Sequence, residues 1–264
     1  MKRVSIIGTV GVPANYGGFE SLVENIIGYN SPSDIHYTVY CSAKSYPHRQ
    51  SVYKNADLKY VPLDANGSQS ILYDIVSLIK ATKKSDVILI LGVSGCCFLP
   101  IYRLFLKKRL VINIDGLEHR REKWGKYAKA FLKFSEKMAV KYADAVIADN
   151  KGIQDYVREE YGKEAELIAY GGDHVLCDIA DVEEQILEKY GLKNICYSFS
   201  LCRIEPENNV HVILEAFKAS GKELFFVGNW NRSTYGKYLL EKYAGYGNIH
   251  CLLYTSDAAD ERSS

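Results

Sequence analysis

Short apolar runs alternate along the chain with longer runs in which apolar residues recur every three or four positions. The short runs predict strands, and the longer ones predict amphipathic helices. Runs such as DVILIL and RLVINI are apolar on both faces, which is typical of parallel strands covered by helices on both sides. The alternation therefore predicts a doubly wound α/β fold.

The first series of predicted elements occupies the first two thirds of the chain. Strands are expected at Arg3–Gly8, His36–Cys41, Leu58–Val61, Asp86–Leu91, Arg109–Ile114, Ala145–Ala148 and Glu166–Ala169. Helices are expected at Gly18–Tyr29, Ser70–Lys83, Leu99–Lys107, Glu122–Tyr142 and Lys151–Glu160. The most apolar stretch, residues 87–106, contains Gly92, Gly95, Pro100 and Arg103, so it predicts strand, turn and helix rather than a membrane span.

The rhythm breaks at AYGGDHVLCDIADVEE, which predicts a domain junction. Beyond it, NICYSFSL, ELFFVGN and NIHCLL predict strands, with helices at Glu207–Ala219 and Thr234–Tyr243. We expect an N-terminal domain at 1–172 and a partial C-terminal domain at 173–253. Residues 254–264, YTSDAADERSS, have no apolar periodicity, and we interpret them as a non-native-looking or disordered tail; the alternative is a solvated natural tail.

Composition limits the classes of partner. The chain has 264 residues, 47% of them hydrophobic, and a net charge of +1, so no global charge favours nucleic acid or membranes. None of the seven cysteines forms a CxxC pair, and no His/Cys spacing indicates a metal site. Cysteines within apolar runs and the absence of paired spacing favour a reducing cytoplasm.

The stretch SIIGTVGVPANYGGFESLVENI leaves a buried strand through a long loop and begins a helix on a double glycine. It is not the GxGxxG fingerprint. Unpaired amides at a helix start attract anions, and glycines let a ligand approach the backbone, so Gly17 and Gly18 are candidate ligand contacts. Glu20 either complements the helix dipole or accepts a hydrogen bond from a substrate hydroxyl.

A second loop, in SFSLCRIEPENNVHVILEAF, places Arg203 directly after a predicted strand, with Pro206 opening a helix. Open α/β sheets bind ligands at the carboxyl ends of their strands, and a guanidinium suits a diphosphate. The alternative is a surface arginine that pairs with Glu205 or Glu207.

These motifs resemble those of GT-B glycosyltransferases of the family 4 type, and most closely bacterial polysaccharide rhamnosyltransferases that open with GTxGxPAxYGGFE. The matching segments are GTVGVPANYGGFE, RIEPENN and NIDGLEHRREKWGKYAK, and the resemblance covers about residues 1–250. It implies a GT-B fold: two Rossmann-like domains with parallel sheets, the second of them incomplete.

The resemblance also implies an activity. The N-terminal domain would bind a lipid-linked saccharide acceptor and the C-terminal domain a nucleotide sugar, with dTDP-rhamnose as the expected donor. Transfer would retain the anomeric configuration without a metal or a cofactor. Asn208, assigned to the donor site, replaces a lysine of many members. The paired glutamates of the family's later E-x7-E element are expected beyond residue 264, and nothing in YTSDAADERSS can replace them, so we expect weak donor binding and impaired activity.

The third segment supplies the candidate catalytic residues. Asp115, Glu118 and His119 follow a predicted apolar strand. Either acid could receive or orient the proton of an acceptor hydroxyl, and His119 could bind a sugar hydroxyl or a phosphate. The alternative is that the acids cap a helix and the histidine is solvated.

A stripe of lysines follows at helical spacing, and we predict that it contacts the anionic inner face of the membrane. Its members are Lys123, Lys126, Lys129, Lys133, Lys137 and Lys141. The alternative is an ordinary solvated helix face. The expected location is thus cytoplasmic and peripheral to the inner membrane, with no nucleic-acid partner.

Two other functions stay open. The first is a GT-B enzyme of another reaction, such as a nucleotide-sugar epimerase, which needs no acceptor. The second is a non-catalytic module that binds a membrane or a partner enzyme.

Overall fold

A computed structural model describes residues 1–15, 17–29, 34–114, 116–121, 124–173, 176, 188 and 195–253. The chain divides into two compact units, residues 1–174 and 175–264. The predicted tail at 254–264 and most of the predicted junction lie outside the described residues.

In the residues that the structure describes, the first unit contains eight strands. Their bounds are β1 Lys2–Ile7, β2 Ile35–Ser42, β3 Val52–Tyr53, β4 Ala56–Val61, β5 Val87–Leu91, β6 Arg109–Ile114, β7 Ala145–Ala148 and β8 Glu166–Leu167. They form one sheet in the order β3-β4-β2-β1-β5-β6-β7-β8. All neighbouring pairs run parallel except β3 and β4, so the doubly wound architecture predicted from the apolar runs is confirmed.

Within the described part of this unit, five helices cover the sheet. Their bounds are α1 Gly18–Gly28, α2 Ser70–Thr82, α3 Leu99–Phe105, α4 Lys126–Tyr142 and α5 Lys151–Tyr161. Helix α4 begins four residues later than the predicted start at Glu122, because a 3-10 turn at Glu118–Arg120 and Gly125 precede it. No helix in these described ranges is long and apolar enough to span a bilayer.

Two apolar cores lie in the first unit. One includes Ile88, Ile112, Leu78 and Ala139, from the central strands and from α2 and α4. The other includes Ile6, Val23 and Leu91, from β1, α1 and β5. Strands β1 and β5 contribute to both cores. Ile7 and Ile88 pack in the first core, and Ile6 and Leu91 pack in the second, which explains why both strands are apolar on both faces.

The second unit has three parallel strands, β9 Tyr197–Leu201, β10 Glu223–Gly228 and β11 Ile249–Leu253, in the order β11-β10-β9. Helices α6 Val210–Ser220 and α7 Thr234–Tyr243 connect them. Leu214, Phe226, Trp230, Leu239 and Tyr243 form its core.

The start of α6 differs from the prediction. Pro206 opens a 3-10 turn, Pro206–Asn208, rather than the helix. Asn209 then adopts a left-handed conformation (φ 53°), and α6 begins at Val210. Asparagine tolerates this conformation better than most residues, so Asn209 ends the turn and reorients the chain.

Candidate functional site

The long loop after β1 is held in place by donors from other elements, which form hydrogen bonds with its main-chain carbonyls. The Tyr73 hydroxyl donates to the Thr9 carbonyl (2.9 Å), and the Tyr46 hydroxyl donates to the Pro13 carbonyl (2.8 Å). The Ser42 amide donates to the Val10 carbonyl (2.8 Å). The first half of the loop is therefore fixed from within the first unit.

Two glutamates of α1 complete this bracing. Glu20, which is buried, accepts on Oε1 from the Thr9 hydroxyl (2.8 Å) and the Val10 amide (2.7 Å). Glu24 accepts from the Ala14 amide (2.5 Å) and the hydroxyl of Tyr53. Burial opposes ionisation of Glu24, but these hydrogen bonds outweigh it and lower its pKa. Glu20 thus has a structural role, and its contact with a substrate stays a prediction.

The loop ends at the two glycines that the sequence singled out. Gly17 has a φ of 137°, and a Cβ added to it would lie 1.9 Å from Oε2 of Glu20. Gly18, the first residue of α1, is exposed, and an added Cβ would meet nothing within 4 Å. The first-turn amides of a helix have no intrahelical acceptor, so this is where the loop can offer donors to a ligand.

The loop after β1 also meets the loop after β5. A Cβ on Gly8 (φ 85°) would lie 2.1 Å from the Leu91 carbonyl oxygen, so only glycine fits there. A Cβ on Gly92 (φ 81°) would lie 3.6 Å from Cε2 of Phe19. Strands β1 and β5 are adjacent, and the chain order reverses between them, so these loops flank the switch point where open α/β sheets bind ligands.

The loop after β6 carries the predicted catalytic residues. Asp115 lies outside the described residues. Glu118 forms an ion pair with Arg121 (2.5 Å) and accepts a hydrogen bond from the Trp124 indole (3.2 Å). A catalytic role for Glu118 stays a prediction.

His119 lies in the same loop but is tied to a helix. Its ring Nδ1 is 3.0 Å from Oε2 of Glu136, in the middle of α4. The His119 side chain is 13% exposed and that of Glu136 only 1%, so the alternative of a solvated histidine is wrong. Sequence reasoning missed Glu136, because an acid within a lysine-rich helix is typical of a solvated face.

The lysine stripe divides into two sets. Lys126 and Lys137 are exposed, and Lys129 is half-buried. Lys133 differs, because it pairs with Glu160 of α5 (2.8 Å) and contacts the Tyr156 hydroxyl, and its contact with a membrane stays a prediction. Lys123 lies outside the described residues.

The second unit contains the predicted donor residues. Arg203 follows β9 and is half exposed, with Nη2 3.7 Å from Oε1 of Glu207. The Asn208 amide donates to the Arg203 carbonyl (2.7 Å), so Asn208 fixes the turn beside the arginine. The alternative pairing with Glu207 is present, but at a distance that leaves it weak. Whether either residue binds a substrate stays a prediction.

The adjacent loop, after β10, packs against the Arg203 loop. The Ser233 hydroxyl is 3.5 Å from the Ile204 carbonyl, and a Cβ on Gly228 would lie 2.4 Å from Cδ1 of Ile204. Trp230 of this loop is buried, and its indole N–H donates a hydrogen bond to the Leu252 carbonyl (3.0 Å), which anchors the loop to β11. The two loops at the carboxyl edge of the second sheet are therefore packed against each other, and Arg203 lies on one of them.

Solved structures define the class of fold. Sucrose-phosphate synthase from Thermosynechococcus elongatus superposes with a TM-score of 0.74 at 15% identity, over 97% of this chain and 71% of that one. HepE from Anabaena, in complex with UDP and glucose, gives 0.68 at 15% identity, over 97% and 70%. UDP-GlcNAc 2-epimerase from Neisseria meningitidis, bound to UDP-GlcNAc, gives 0.53 at 14% identity, over 97% and 73%. The predicted GT-B fold class is confirmed.

Residues 1–173 match the family described as "Domain of unknown function (DUF1972)", and the chain belongs to that family. No curated protein sequence matches the chain.

Proposed function

We propose that the chain is a glycosyltransferase that moves a sugar from a nucleoside diphosphate sugar to a saccharide acceptor. Arg203 carries the proposal, because a half-exposed guanidinium stands at the carboxyl edge of a Rossmann-like sheet. Charge that develops on a departing diphosphate needs fixed donors of this kind. The similarity in fold to HepE with bound UDP and glucose supports this assignment.

In the first unit, we assign the amides of Gly17 and Gly18 to substrate binding and the loop that carries Asp115, Glu118 and His119 to catalysis. The support is positional. Both loops leave the carboxyl edge of the first sheet, where ligands of doubly wound folds bind.

The finer assignment follows from the motifs GTVGVPANYGGFE and RIEPENN. We propose an enzyme of the family 4 type that retains the anomeric configuration and uses neither a metal nor a cofactor. Its donor is dTDP-rhamnose and its acceptor is a lipid-linked glycan precursor of a surface polysaccharide. Asn208 brings an amide rather than a cation to the donor site, so Arg203 has the larger share of the electrostatic task.

A transfer assay with the full chain tests the proposal. Several nucleotide sugars are offered with a lipid-linked acceptor, and product is expected with dTDP-rhamnose and with none or few of the others. No transfer from any donor would overturn the proposal. Transfer from another nucleotide sugar would overturn only the choice of rhamnose.

An epimerase is the second candidate, favoured by the similarity in fold to UDP-GlcNAc 2-epimerase. The same assay separates the two functions. An epimerase converts its nucleotide sugar without an acceptor, whereas a transferase needs one.

We also propose that the first unit binds an anionic membrane, through what we call the α3–α4 surface. Its apolar part consists of Ile101, Leu104, Phe105, Tyr127 and Phe134, and its basic part of Lys107, Lys126, Lys137 and Lys141. Leu104 and Phe105 are 77% and 79% exposed, and Tyr127 is 91% exposed. The guanidinium of Arg103 donates to the Tyr142 carbonyl (2.7 Å), which ties α3 to the end of α4.

The combination of apolar and basic side chains suits an anionic lipid surface. Apolar side chains enter the boundary of the acyl region, and each nearby lysine contributes about 1 kcal/mol of attraction to anionic headgroups. The surface thus extends the predicted lysine stripe with exposed aromatic and aliphatic residues of α3 and α4.

Co-sedimentation with vesicles tests this surface. Leu104→Glu is expected to weaken binding to phosphatidylglycerol vesicles at least about tenfold, since it removes apolar contact and adds repulsion. Leu72→Glu, at another exposed leucine on α2, is the matched control and is expected to bind as the wild type does. Equal binding by both variants would contradict the assignment.

A further inference from the structure

Glu136 lies at the centre of a buried polar cluster in the first unit. Its Oε1 accepts hydrogen bonds from the hydroxyls of Tyr156 (2.6 Å) and Tyr161 (2.5 Å), both on α5. Its Oε2 is 3.0 Å from Nδ1 of His119. Both oxygens of one carboxylate are therefore in use, one by two tyrosines and the other by the histidine.

The direction of these hydrogen bonds follows from the chemistry of the groups. Burial, and then the hydrogen bond to Glu136, raises the pKa of Tyr156 and of Tyr161, so both hydroxyls keep their protons and donate. Lys133 lies 3.6 Å from Oε1 of Glu136 and contacts the Tyr156 hydroxyl. A cation and two donors around one side chain are the surroundings of a carboxylate.

A carboxylate can only accept, so Nδ1 of His119 must be the donor. In a neutral imidazole, a proton on Nδ1 leaves Nε2 as an acceptor. In the part of the chain that the structure describes, the ring makes no other hydrogen bond. Nε2 thus remains as an acceptor on a loop at the carboxyl edge of the sheet.

Stability alone is a weak reason for this arrangement. A buried ionised group costs desolvation, and apolar residues of similar size often do as well or better. A carboxylate fixes both the orientation and the tautomer of an imidazole, whereas an apolar residue fixes neither.

We propose that Glu136 is a positioning residue, which holds His119 with its proton on Nδ1 so that Nε2 accepts a hydrogen bond from a hydroxyl of the saccharide acceptor. This step rests on the proposed function, since it needs an acceptor hydroxyl. The two tyrosines hold the carboxylate, and the carboxylate holds the ring.

Nitrogen-15 NMR of the histidine rings tests the tautomer without any substrate. Spectra are recorded at alkaline pH, where imidazole rings are in general neutral, and His119→Gln identifies the signal. The wild-type ring is expected as the Nδ1–H tautomer. In Glu136→Gln, the two tyrosines keep the amide oxygen at the Oε1 position, so the amide NH₂ faces the ring and the proton moves to Nε2.

Tyr161→Phe is the control for a merely structural role. It removes one hydrogen bond from the same carboxylate but leaves Oε2 facing His119, so the Nδ1–H tautomer is expected to persist. A wild-type ring with its proton on Nε2 would overturn the proposal. An unchanged tautomer in Glu136→Gln would overturn it as well.

Kinetics test the hydroxyl contact. Glu136→Gln is expected to lower kcat for transfer about 10- to 100-fold with an unchanged KM for the nucleotide sugar, while Tyr161→Phe, which keeps Oε2 facing the ring, is expected to lower kcat less than Glu136→Gln does. Equal kcat values in the wild type and Glu136→Gln would overturn the contact. A wild-type protein with the expected tautomer but no transfer to any saccharide would overturn the proposed function instead, so the two failures are distinct.

Discussion

The loops after β1 and β6 both leave the carboxyl edge of one sheet, and each depends on a buried glutamate, but the two glutamates act on different groups. Glu20 accepts from a main-chain amide and a nearby hydroxyl of its own loop. Glu136 accepts from three side chains, two of them on α5. The first loop is therefore a main-chain scaffold that ends in two exposed glycines, whereas the second presents side-chain chemistry held by a helix.

The largest expected effect concerns the end of the first loop. In Gly17→Ala, a φ of 137° strains the backbone, and a Cβ 1.9 Å from Oε2 of Glu20 displaces that buried carboxylate, so we expect a loss of about 4 kcal/mol of stability, measured by urea unfolding. Gly18→Ala is the matched control, because its Cβ meets nothing and its backbone is helical; we expect a change within about 0.5 kcal/mol. Similar losses in both variants would show that the loop is not fixed as described.

A third buried carboxyl, Asp74 on α2, sharpens the contrast because its surroundings favour the neutral form. Burial raises its pKa to about 7, against a smaller opposing effect of a hydrogen bond from the Gly95 amide. The folded state then holds the proton to higher pH than the unfolded state does. The free energy of unfolding should therefore fall by about 1.4 kcal/mol per unit as the pH rises from about 4 to about 7.

Asp74→Asn removes this dependence, and we expect it to be more stable than the wild type at pH 8 by about 4 kcal/mol and equal to it near pH 4. The control is Asp86→Asn. Contact with Arg3 lowers the pKa of Asp86 to about 2, so the contribution of Asp86 to the free energy of unfolding rises with pH, whereas that of Asp74 falls. Parallel pH profiles for Asp74→Asn and the wild type would contradict the buried, proton-binding role of Asp74.

A smaller effect is expected at the brace of the first loop. Glu20→Ala leaves the Val10 amide and the Thr9 hydroxyl without their acceptor, at a cost of about 2 kcal/mol in thermal or urea unfolding. Glu20→Gln keeps an oxygen acceptor in place and should recover more than half of that loss. If Glu20 served only a ligand, neither variant would change the stability of the free protein.

Much of the fold could be predicted from local pattern. Strands β6 and β7 begin and end where predicted, because each is a single apolar run bounded by charged residues. The starts of α4 and α6 were predicted wrongly, since Gly125 and the left-handed Asn209 end local turns that composition does not reveal.

The candidate site could be predicted only in part. Gly17 and Gly18 could be proposed because they stand at a helix start, and Arg203 because it follows a strand, which is information local to the sequence. The bonds from Glu20 to the loop and from Glu136 to His119 join residues 10 to 17 positions apart across a turn. No periodicity specifies such contacts, because they arise only once the loop has closed.

The most direct test of the proposed function is calorimetric titration of a nucleoside diphosphate into the wild type and into Arg203→Ala. We predict measurable binding by the wild type and a loss of about 1.5–3 kcal/mol in the variant, as for removal of a charge-assisted hydrogen bond. Arg232→Ala, on the adjacent loop, shows whether any nearby arginine has the same effect. Equal affinities in the wild type and Arg203→Ala would contradict the account of this chain as a nucleotide-sugar enzyme that holds its donor through Arg203.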